Sequence, residues 1–310
     1  MPVLADRITS PGAPPPADLG GAGTAAATWH APDGSTWPMS QPERGWYVAE
    51  GVKGVHAAVD VEITTDDHPR GGVRVRNVQA LQRNITWPIH VYAEDHLTWL
   101  SRWRGLAEAI TQTDRLGPGW LEVARPDGTT RRIACYYDEG FDEEEPDYLI
   151  TSDTMALTLL AETPWWEDTA PTIIRREYAV GKDFLDPYPS VSSSQVLGDT
   201  TVVNPGGAMA WPHWYVTGPA TAITGERLDT GESFTLTPPA PLEAGQVAEI
   251  STDPPRITGP DGQNWMGGLD WPGAILWGLP PGSSRVSFRL DGDGPGSAVE
   301  LSFYARHRTA

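Results

Sequence analysis

The residues best suited to chemistry are the acids of one short run, DEGFDEEEPD, which extends from Asp138 to Asp147. Seven of these ten positions are acidic, and Trp120, Tyr136 and Tyr137 precede them in the chain. Two carboxylates that flank a sugar would suffice for a glycoside hydrolase. Consecutive acids, however, normally mark a solvated loop, and spacing alone does not bring two carboxyl groups to one gap. We therefore expect no catalytic residue in this run and no enzymatic role for the chain.

Other patterns that could hold a metal or a nucleophile are weak. The neighbours Asp66–His68 are of metal-ligand type, but adjacent residues rarely converge on one ion. The segment from Asp291 begins like a calcium loop, yet Pro295 and Ser302 occupy ligand positions. One cysteine, Cys135, allows no disulfide within the chain, and no hydrolase elbow, HExxH or phosphate loop occurs. The sequence predicts neither a cofactor nor a metal site.

Aromatic residues offer a binding alternative. The chain has 14 tryptophans among 310 residues, and large aromatic rings occupy both sandwich cores and interfaces. Several lie in or beside turns of the second half, where a ring could stack on a sugar or meet another protein. The candidate contact residues are Trp211, Trp214, Trp265 and Trp271. A carbohydrate-binding module therefore remains open, beside the possibility that some of these rings form a core.

Charge and hydropathy exclude two broad classes. The formal charge is −19, which is unfavourable for general nucleic-acid binding because phosphates require a basic surface. The first residues lack the charged and apolar regions of a signal peptide. No run approaches the roughly 18 apolar residues of a membrane span. We expect a soluble protein that is made in a cytoplasm.

Periodicity predicts an α+β first half with one helix packed on sheet. Asp95 is a plausible N-cap for a helix over about 95–112, since apolar residues recur at helical spacing after it. Val55 to Ile63 alternates as a half-buried strand does, and Pro88 indicates an edge or bulged strand. The predicted strands and hairpins are the Pro-Asp-Gly hairpin from Trp29 to Trp37, Val55–Ile63, Val73–Leu81, Ile85–Tyr92, the hairpin over 120–137, and Tyr148–Glu162.

The second half reads as an antiparallel β-sandwich. Short alternating runs are separated by Gly, Pro, Asn and Asp at the spacing that is typical of such folds. Pro or Gly interrupts every window long enough for a helix. We predict an N-terminal arm over 1–26, a first domain over 27–171, a bridge and linker over 172–196, and the sandwich over 197–310. The chain as a whole is predicted to be mainly β.

A series of motifs in fixed order resembles a known family. In the second half it comprises Asn204-Pro-Gly-Gly, Trp211-Pro, Thr217-Gly-Pro, Ile250-Ser-Thr-Asp-Pro and Leu276-Trp-Gly-Leu-Pro-Pro-Gly-Ser. In the first half it comprises the Pro-Asp-Gly hairpin, the step from strand to helix, and Ala161-Glu-Thr-Pro-Trp-Trp. These features resemble distal tail or minor tail proteins at the tail tip of bacteriophages with long, non-contractile tails. The two lysines against 20 arginines resemble a high-GC coding background.

The resemblance implies a structural virion protein at the tail tip, assembled in the host cytoplasm. First domains would form a homo-oligomeric ring, a hexamer by analogy, that joins the tail tube to the baseplate hub. The implied partners are the tail tube protein, the tape measure protein and the hub or other minor tail proteins, with no membrane and with DNA only in passage through the lumen. The residues that we expect near ring contacts are Ile85, Trp87, Trp120, Tyr136 and Tyr137.

Overall fold

The computed structural model describes residues 26–141, 149–178 and 198–310. The chain divides into two compact units. The first contains the described residues up to Thr169 together with His307–Ala310, and the second contains those from Ala170 to Arg306. The predicted N-terminal arm up to residue 25, most of the acidic run (142–148) and most of the predicted linker (179–196) lie outside the described residues. Within the described chain, no helix is long and apolar enough to cross a membrane.

The first unit is β-rich with one main helix, as predicted. Its principal sheet has the strand order β2-β1-β7-β8-β9-β6-β3, with β10 beside β8, while β4 and β5 form a separate sheet. The elements are β1 (Ala26–His30), β2 (Thr36–Pro38), β3 (Trp46–Val48), β4 (Val61–Asp67), β5 (Val73–Ala80), β6 (Arg83–Tyr92), α1 (His96–Thr111), α2 (Thr113–Leu116), β7 (Gly119–Ala124), β8 (Thr130–Glu139), β9 (Ser152–Ala161) and β10 (Trp166–Asp168).

The main helix begins where its N-cap predicts. A carboxylate oxygen of Asp95 accepts a hydrogen bond from the backbone N–H of Thr98 at 3.0 Å, which satisfies one of the unpaired donors of the first turn. Trp99, Leu106 and Ile110 of α1 are buried in the core of the unit. The same core cluster contains Met155, Leu157 and Leu159 of β9, all with 0% exposure. The two predicted hairpins, β1–β2 and β7–β8, are confirmed.

Two strand predictions are wrong in part. Val55 to Ile63 is not one half-buried strand, because β4 begins only at Val61 and is exposed along its whole length. Pro88 causes no bulge, since the register between β6 and β9 is continuous. The Pro88 carbonyl accepts a hydrogen bond from the Ala49 N–H. The nitrogen and carbonyl of one strand residue point to the same side, so the Pro88 nitrogen, which carries no hydrogen, points toward the side of the short strand β3. Pro88 lies just beyond the three residues of β6 that pair with β3, where no ladder donor is required.

The second unit is a sandwich of two antiparallel sheets, as predicted. One sheet has the order β11-β19-β13-β16-β17 and the other β12-β18-β14-β15. The strands are β11 (Thr172–Glu177), β12 (Asp199–Asn204), β13 (His213–Thr217), β14 (Ala222–Arg227), β15 (Glu232–Leu236), β16 (Val247–Thr252), β17 (Pro255–Thr258), β18 (Gly282–Asp291) and β19 (Ala298–Phe303). The segment predicted as a bridge, from Thr172, is thus an edge strand of this sandwich.

An aromatic cluster fills the centre of the sandwich. The Trp214 ring lies edge-on to Phe234, Trp277 and Phe288, with ring centroids 5.1–5.3 Å apart. Gly225 on β14 makes room for it, because a β-carbon at this position would lie 2.8 Å from ring atoms of both Trp214 and Phe234. The Trp277 indole N–H donates to the Gly225 carbonyl at 3.1 Å.

The last strand, β20 (Arg306–His307), pairs with β10. The four residues His307–Ala310, which we call the tail segment, belong to the first unit and not to the sandwich predicted over 197–310. Sequence pattern misses this placement because the segment has no periodicity of its own.

Gly225→Ala tests the packing of the sandwich centre. The added methyl group would overpack the Trp214 cluster, and we expect it to destabilise the second unit by about 1–3 kcal/mol. Gly207→Ala is the matched control, since a β-carbon there meets nothing within 4 Å, and its effect should stay below about 0.5 kcal/mol. Urea denaturation followed by tryptophan fluorescence measures both, and equal stability of the two variants would contradict the close packing at Gly225.

Candidate functional site

The feature of the first unit that most lacks a partner is the two-stranded sheet of β4 and β5, which we call the arm. Within the described residues the two strands pair only with each other, and every residue from Val61 to Gln79 is exposed. The arm turns at its tip through Gly71 and Gly72, both with positive φ, a conformation that glycine adopts without steric cost. An isolated pair of strands is marginally stable in water, so the arm is suited to meet another surface.

One face of the arm is apolar. The cross-strand pairs Ile63 with Val78 and Thr65 with Val75 share this face, because paired residues point to the same side of a sheet. Its large side chains are 46–60% exposed; they are Val61, Ile63, Val73, Val75 and Val78. The opposite face is polar and includes an ion pair of 2.8 Å between Asp66 and Arg76.

A β-bulge keeps the apolar side chains together. Val75 and Val78 are three residues apart, so strict alternation would place them on opposite faces. The register shifts between Thr64 and Thr65, which leaves Arg76 as the extra residue of β5. The bulge restores the phase of alternation, and Val78 returns to the same face as Val75.

A buried arginine anchors the base of the arm. Arg83, the first residue of β6, is 4% exposed, and its guanidinium donates to four backbone carbonyls. It bonds Pro164 at 2.9 Å, Ala57 at 3.1 Å and Arg308 of the tail segment at 2.7 Å, and it also donates to Gly54. The chain that leads into the arm is thereby joined to the start of β6, to the residues that follow β9 and to the tail segment.

Carbonyl dipoles, with one acid farther away, stabilise this buried charge. Burial lowers the pKa of the Arg83 guanidinium below its ordinary value, and the negative charge of Asp60 opposes that shift. An arginine presents five N–H donors in a fixed plane, and four carbonyls from three segments of the chain use them here. A lysine could not satisfy acceptors on several sides of the same plane.

Three hydrogen-bonding contacts, besides the bond to Arg83, connect the tail segment to the first unit. The N–H of Ala310 donates to the Val55 carbonyl at 3.1 Å, Arg131 donates to the Thr309 carbonyl at 2.7 Å, and a ring nitrogen of His307 lies 2.8 Å from a carboxylate oxygen of Asp168. Together with Arg83 these contacts fix the tail segment beside the loop that precedes the arm.

The predicted ring-contact residues fall into two groups. Ile85 is 0% and Trp87 6% exposed, so both lie in the core of the first unit and have little surface to offer a partner. The half-buried Trp120 carries the Arg132 guanidinium 4.3 Å above its ring. Tyr137 packs on Phe141, and Tyr136 is also half-buried. Only these last three retain surface for an intermolecular contact.

The predicted tryptophan contacts divide in the same way. Trp214 and Trp265 are 1% and 8% exposed and belong to the sandwich core, so neither can stack its ring on a ligand. Trp211 and Trp271 are 37% and 59% exposed, and they remain available to a sugar or a protein. Turn position alone could not separate the two pairs.

The other chemical candidates assemble no site. Among the described residues, no three His, Cys, Asp or Glu side chains converge as a metal site would require. Asp138 and Glu139 are exposed at the end of β8. Burial raises the pKa of the Cys135 thiol well above its ordinary value, which makes it a poor nucleophile.

Sequence reasoning predicted β5 as the strand Val73–Leu81, but it missed β4 as the partner of that strand, and it missed Arg83. The signal for the arm was present, because Val61–Asp67 and Val73–Ala80 both alternate and are joined by a short turn with two glycines. Alternation shows which side chains share a face, but it does not show whether anything covers that face. Arg83 carried no local signal, since its acceptors come from positions 54, 57, 164 and 308.

Arg83→Met tests the anchor. The substitution keeps an apolar stem but leaves four carbonyls without a donor, and we expect the first unit to lose about 3 kcal/mol or more of stability. Arg83→Lys should recover only part of the loss. Arg289→Met, at an exposed position of β18, is the control and should be near neutral. Calorimetric unfolding decides the matter, and a wild-type transition temperature for Arg83→Met would show that the anchor is dispensable.

Comparison with solved structures finds the same fold in phage proteins. The Dit protein of phage SPP1, described as a paradigm of the hub adsorption apparatus in phages that infect Gram-positive bacteria, has a TM-score of 0.64 and 12% identity, over 91% of this chain and 99% of its own. A chain of the phage P2 baseplate, in its activated conformation with Ca, has a TM-score of 0.54 and 11% identity, over 93% and 100%. No protein-family model and no curated protein matches the sequence. The chain therefore shares the fold of these phage hub and baseplate proteins along nearly its whole length.

Proposed function

We propose that the chain is a structural protein of a bacteriophage tail tip, and that its first unit assembles with other copies into a ring. Two independent lines support this proposal. The fold of more than nine-tenths of the chain is that of a phage hub protein, and the motifs in the sequence resemble the distal tail family. The observation that carries the ring itself is the arm, whose apolar face has no cover within the described chain.

The arm is an efficient element for joining copies of the chain. Five branched side chains are 46–60% exposed on one face, and covering them would contribute on the order of 5 kcal/mol per contact. The arm would be received on a different surface of the neighbouring copy, for which the half-buried Trp120, Tyr136 and Tyr137 are the candidates. A contact between two different surfaces is heterologous, and such contacts close into rings when the rotation permits.

The remaining roles follow from a ring. A hexamer would continue the tail tube and support the baseplate hub, with the tail tube protein, the tape measure protein and other minor tail proteins as neighbours. The net charge of −19 would let DNA pass through the lumen without adsorption. The protein would reside at the virion tail tip after assembly in the host cytoplasm, and it would act by assembly rather than catalysis.

A paired charge substitution on the arm tests the ring. Ile63→Glu with Val78→Lys places opposite charges at cross-strand partners, so the hairpin is retained while two charges interrupt its apolar face. We expect the wild-type protein to form a closed oligomer and this variant to remain monomeric. Native mass spectrometry gives the subunit number, and electron microscopy shows whether the oligomer is a ring.

The control for this experiment is on the other face of the arm. Thr64→Glu with Asn77→Lys alters the neighbouring cross-strand pair, and assembly should persist because the apolar face is intact. A wild-type protein that is monomeric at high concentration, and absent from any ring in virions, would refute the proposed function. A ring that survives charging of the apolar face would refute the role of the arm alone.

A further inference from the structure

Two leucines at the start of the main helix have the most exposed large apolar side chains of the described residues. Leu97 and Leu149 are each 76% exposed. The Nδ1 atom of His96 lies 2.9 Å from the Ile150 carbonyl oxygen. Because His96 precedes Leu97 and Ile150 follows Leu149, this contact places both leucines at the same end of α1. We call the surface that the two leucines form the leucine patch.

Local physical chemistry favours neither leucine in the isolated chain. Leu97 lies on the solvent-facing stripe of α1, which continues at helical spacing with the exposed residues Ser101, Arg104 and Glu108. Leu149 has a φ of 75°, a left-handed conformation that suits Gly or Asn better than Leu. A surface that covered both side chains would offset their exposure to water, and it would account for leucine at both positions.

A row of packed aromatic rings supports the leucine patch. Each ring centroid lies 5.3–5.9 Å from the next. The members of the row, in order, are His96, Trp99, Trp103, Phe141 and Tyr137. Packed rings of this kind stabilise one another beyond the area that they bury, so the patch rests on an ordered support. The row ends at Tyr137, one of the residues that we expect near ring contacts.

The leucine patch and the arm of the same chain do not cover each other. Both are exposed within the described chain, and the length of β6 lies between their bases. Arg83, at the base of the arm, begins β6, and Tyr92 ends this strand shortly before α1 begins at His96. A strand of ten residues spans roughly 30 Å. An arm that covers the patch therefore comes from another copy of the chain.

The chemistry of the arm matches that of the leucine patch. One face of the arm presents five exposed branched side chains, and the patch offers two leucines beside aromatic rings. Charge agrees as well, since the tip of the arm from Asp66 to Arg76 has three arginines and two aspartates, while the exposed Glu94 and Asp95 border the patch. Hydrogen bonds from the Thr98 hydroxyl and N–H lower the pKa of the Asp95 carboxyl, so this acid is charged at neutral pH.

We propose that the leucine patch receives the apolar face of the arm from a neighbouring copy. The inference rests on the proposed ring and names the surface that its contacts use. Each copy offers one arm and one patch, so a closed ring leaves neither surface unpaired. Among the predicted contact residues, Tyr137 lies on the helix side of the principal sheet, next to this interface. Trp120 and Tyr136 lie on the other face of that sheet and outside the interface.

A mixing experiment tests the inference with two variants. Ile63→Glu with Val78→Lys impairs the arm and keeps the patch, whereas Leu97→Gln with Leu149→Asn impairs the patch and keeps the arm. Each variant alone should require at least about a tenfold higher concentration than the wild-type protein to assemble. An equimolar mixture should form a dimer of one copy of each, because one intact arm meets one intact patch. Native mass spectrometry measures both outcomes.

Leu149→Gly separates binding from folding. Glycine adopts positive φ without steric cost, so this variant should unfold at a temperature at least as high as the wild-type protein and yet assemble less readily. Leu116→Gln is the matched control, since it changes another exposed leucine of the first unit, at the end of α2. This control should assemble as the wild-type protein does. Thermal unfolding of every variant shows that lost assembly is not lost folding.

The possible outcomes distinguish the inference from the proposed function. A ring formed by the Leu97→Gln, Leu149→Asn variant at wild-type concentrations would overturn the inference and leave the proposed ring standing. Absence of the mixed dimer, with both variants folded, would overturn it in the same way. A wild-type protein that stays monomeric would contradict the ring and the inference together.

Discussion

The first unit depends on how one buried positive charge is satisfied. Hydrogen bonds to four carbonyl oxygens replace the hydration of the Arg83 guanidinium. A buried charge without such partners would be strongly unfavourable. The acceptors come from segments far apart in sequence, so the bonds form only when the tail segment, the loop before the arm and the end of β9 are all in place. The base of the arm is thus set by the folding of the whole unit, even though β4 and β5 pair only with each other in the part of the chain that the structure describes.

Local signals predicted much of this fold. Asp95 with the apolar stripe of α1 predicted the helix, and the Pro-Asp-Gly turns predicted two hairpins. These features are decided within a dozen residues, where capping and turn geometry dominate. The placement of β11 and of the tail segment could not be read in this way, because both depend on pairing with strands more than a hundred residues distant.

Candidate site residues were harder to predict than the elements that carry them. Trp214 and Trp271 both lie near turns, yet one is the centre of a core and the other is 59% exposed. Composition counts aromatic rings but does not assign them to a core or a surface. The ion pair of Arg175 and Glu300 illustrates the same limit, since the pairing of β11 with β19 brings together two residues that are 125 positions apart.

The bulge at Arg76 has a consequence for how this protein can change over time. Substitutions on the polar face of the arm leave the valines together on the opposite face, so the residues of the polar face can vary among related chains. Insertion or loss of a single residue within β5 between Val73 and Val78 would instead place part of that strand's apolar side chains on the opposite face and divide the apolar face between two sides. Related chains should therefore vary in the composition of the arm far more readily than in its length, and length changes should come in pairs.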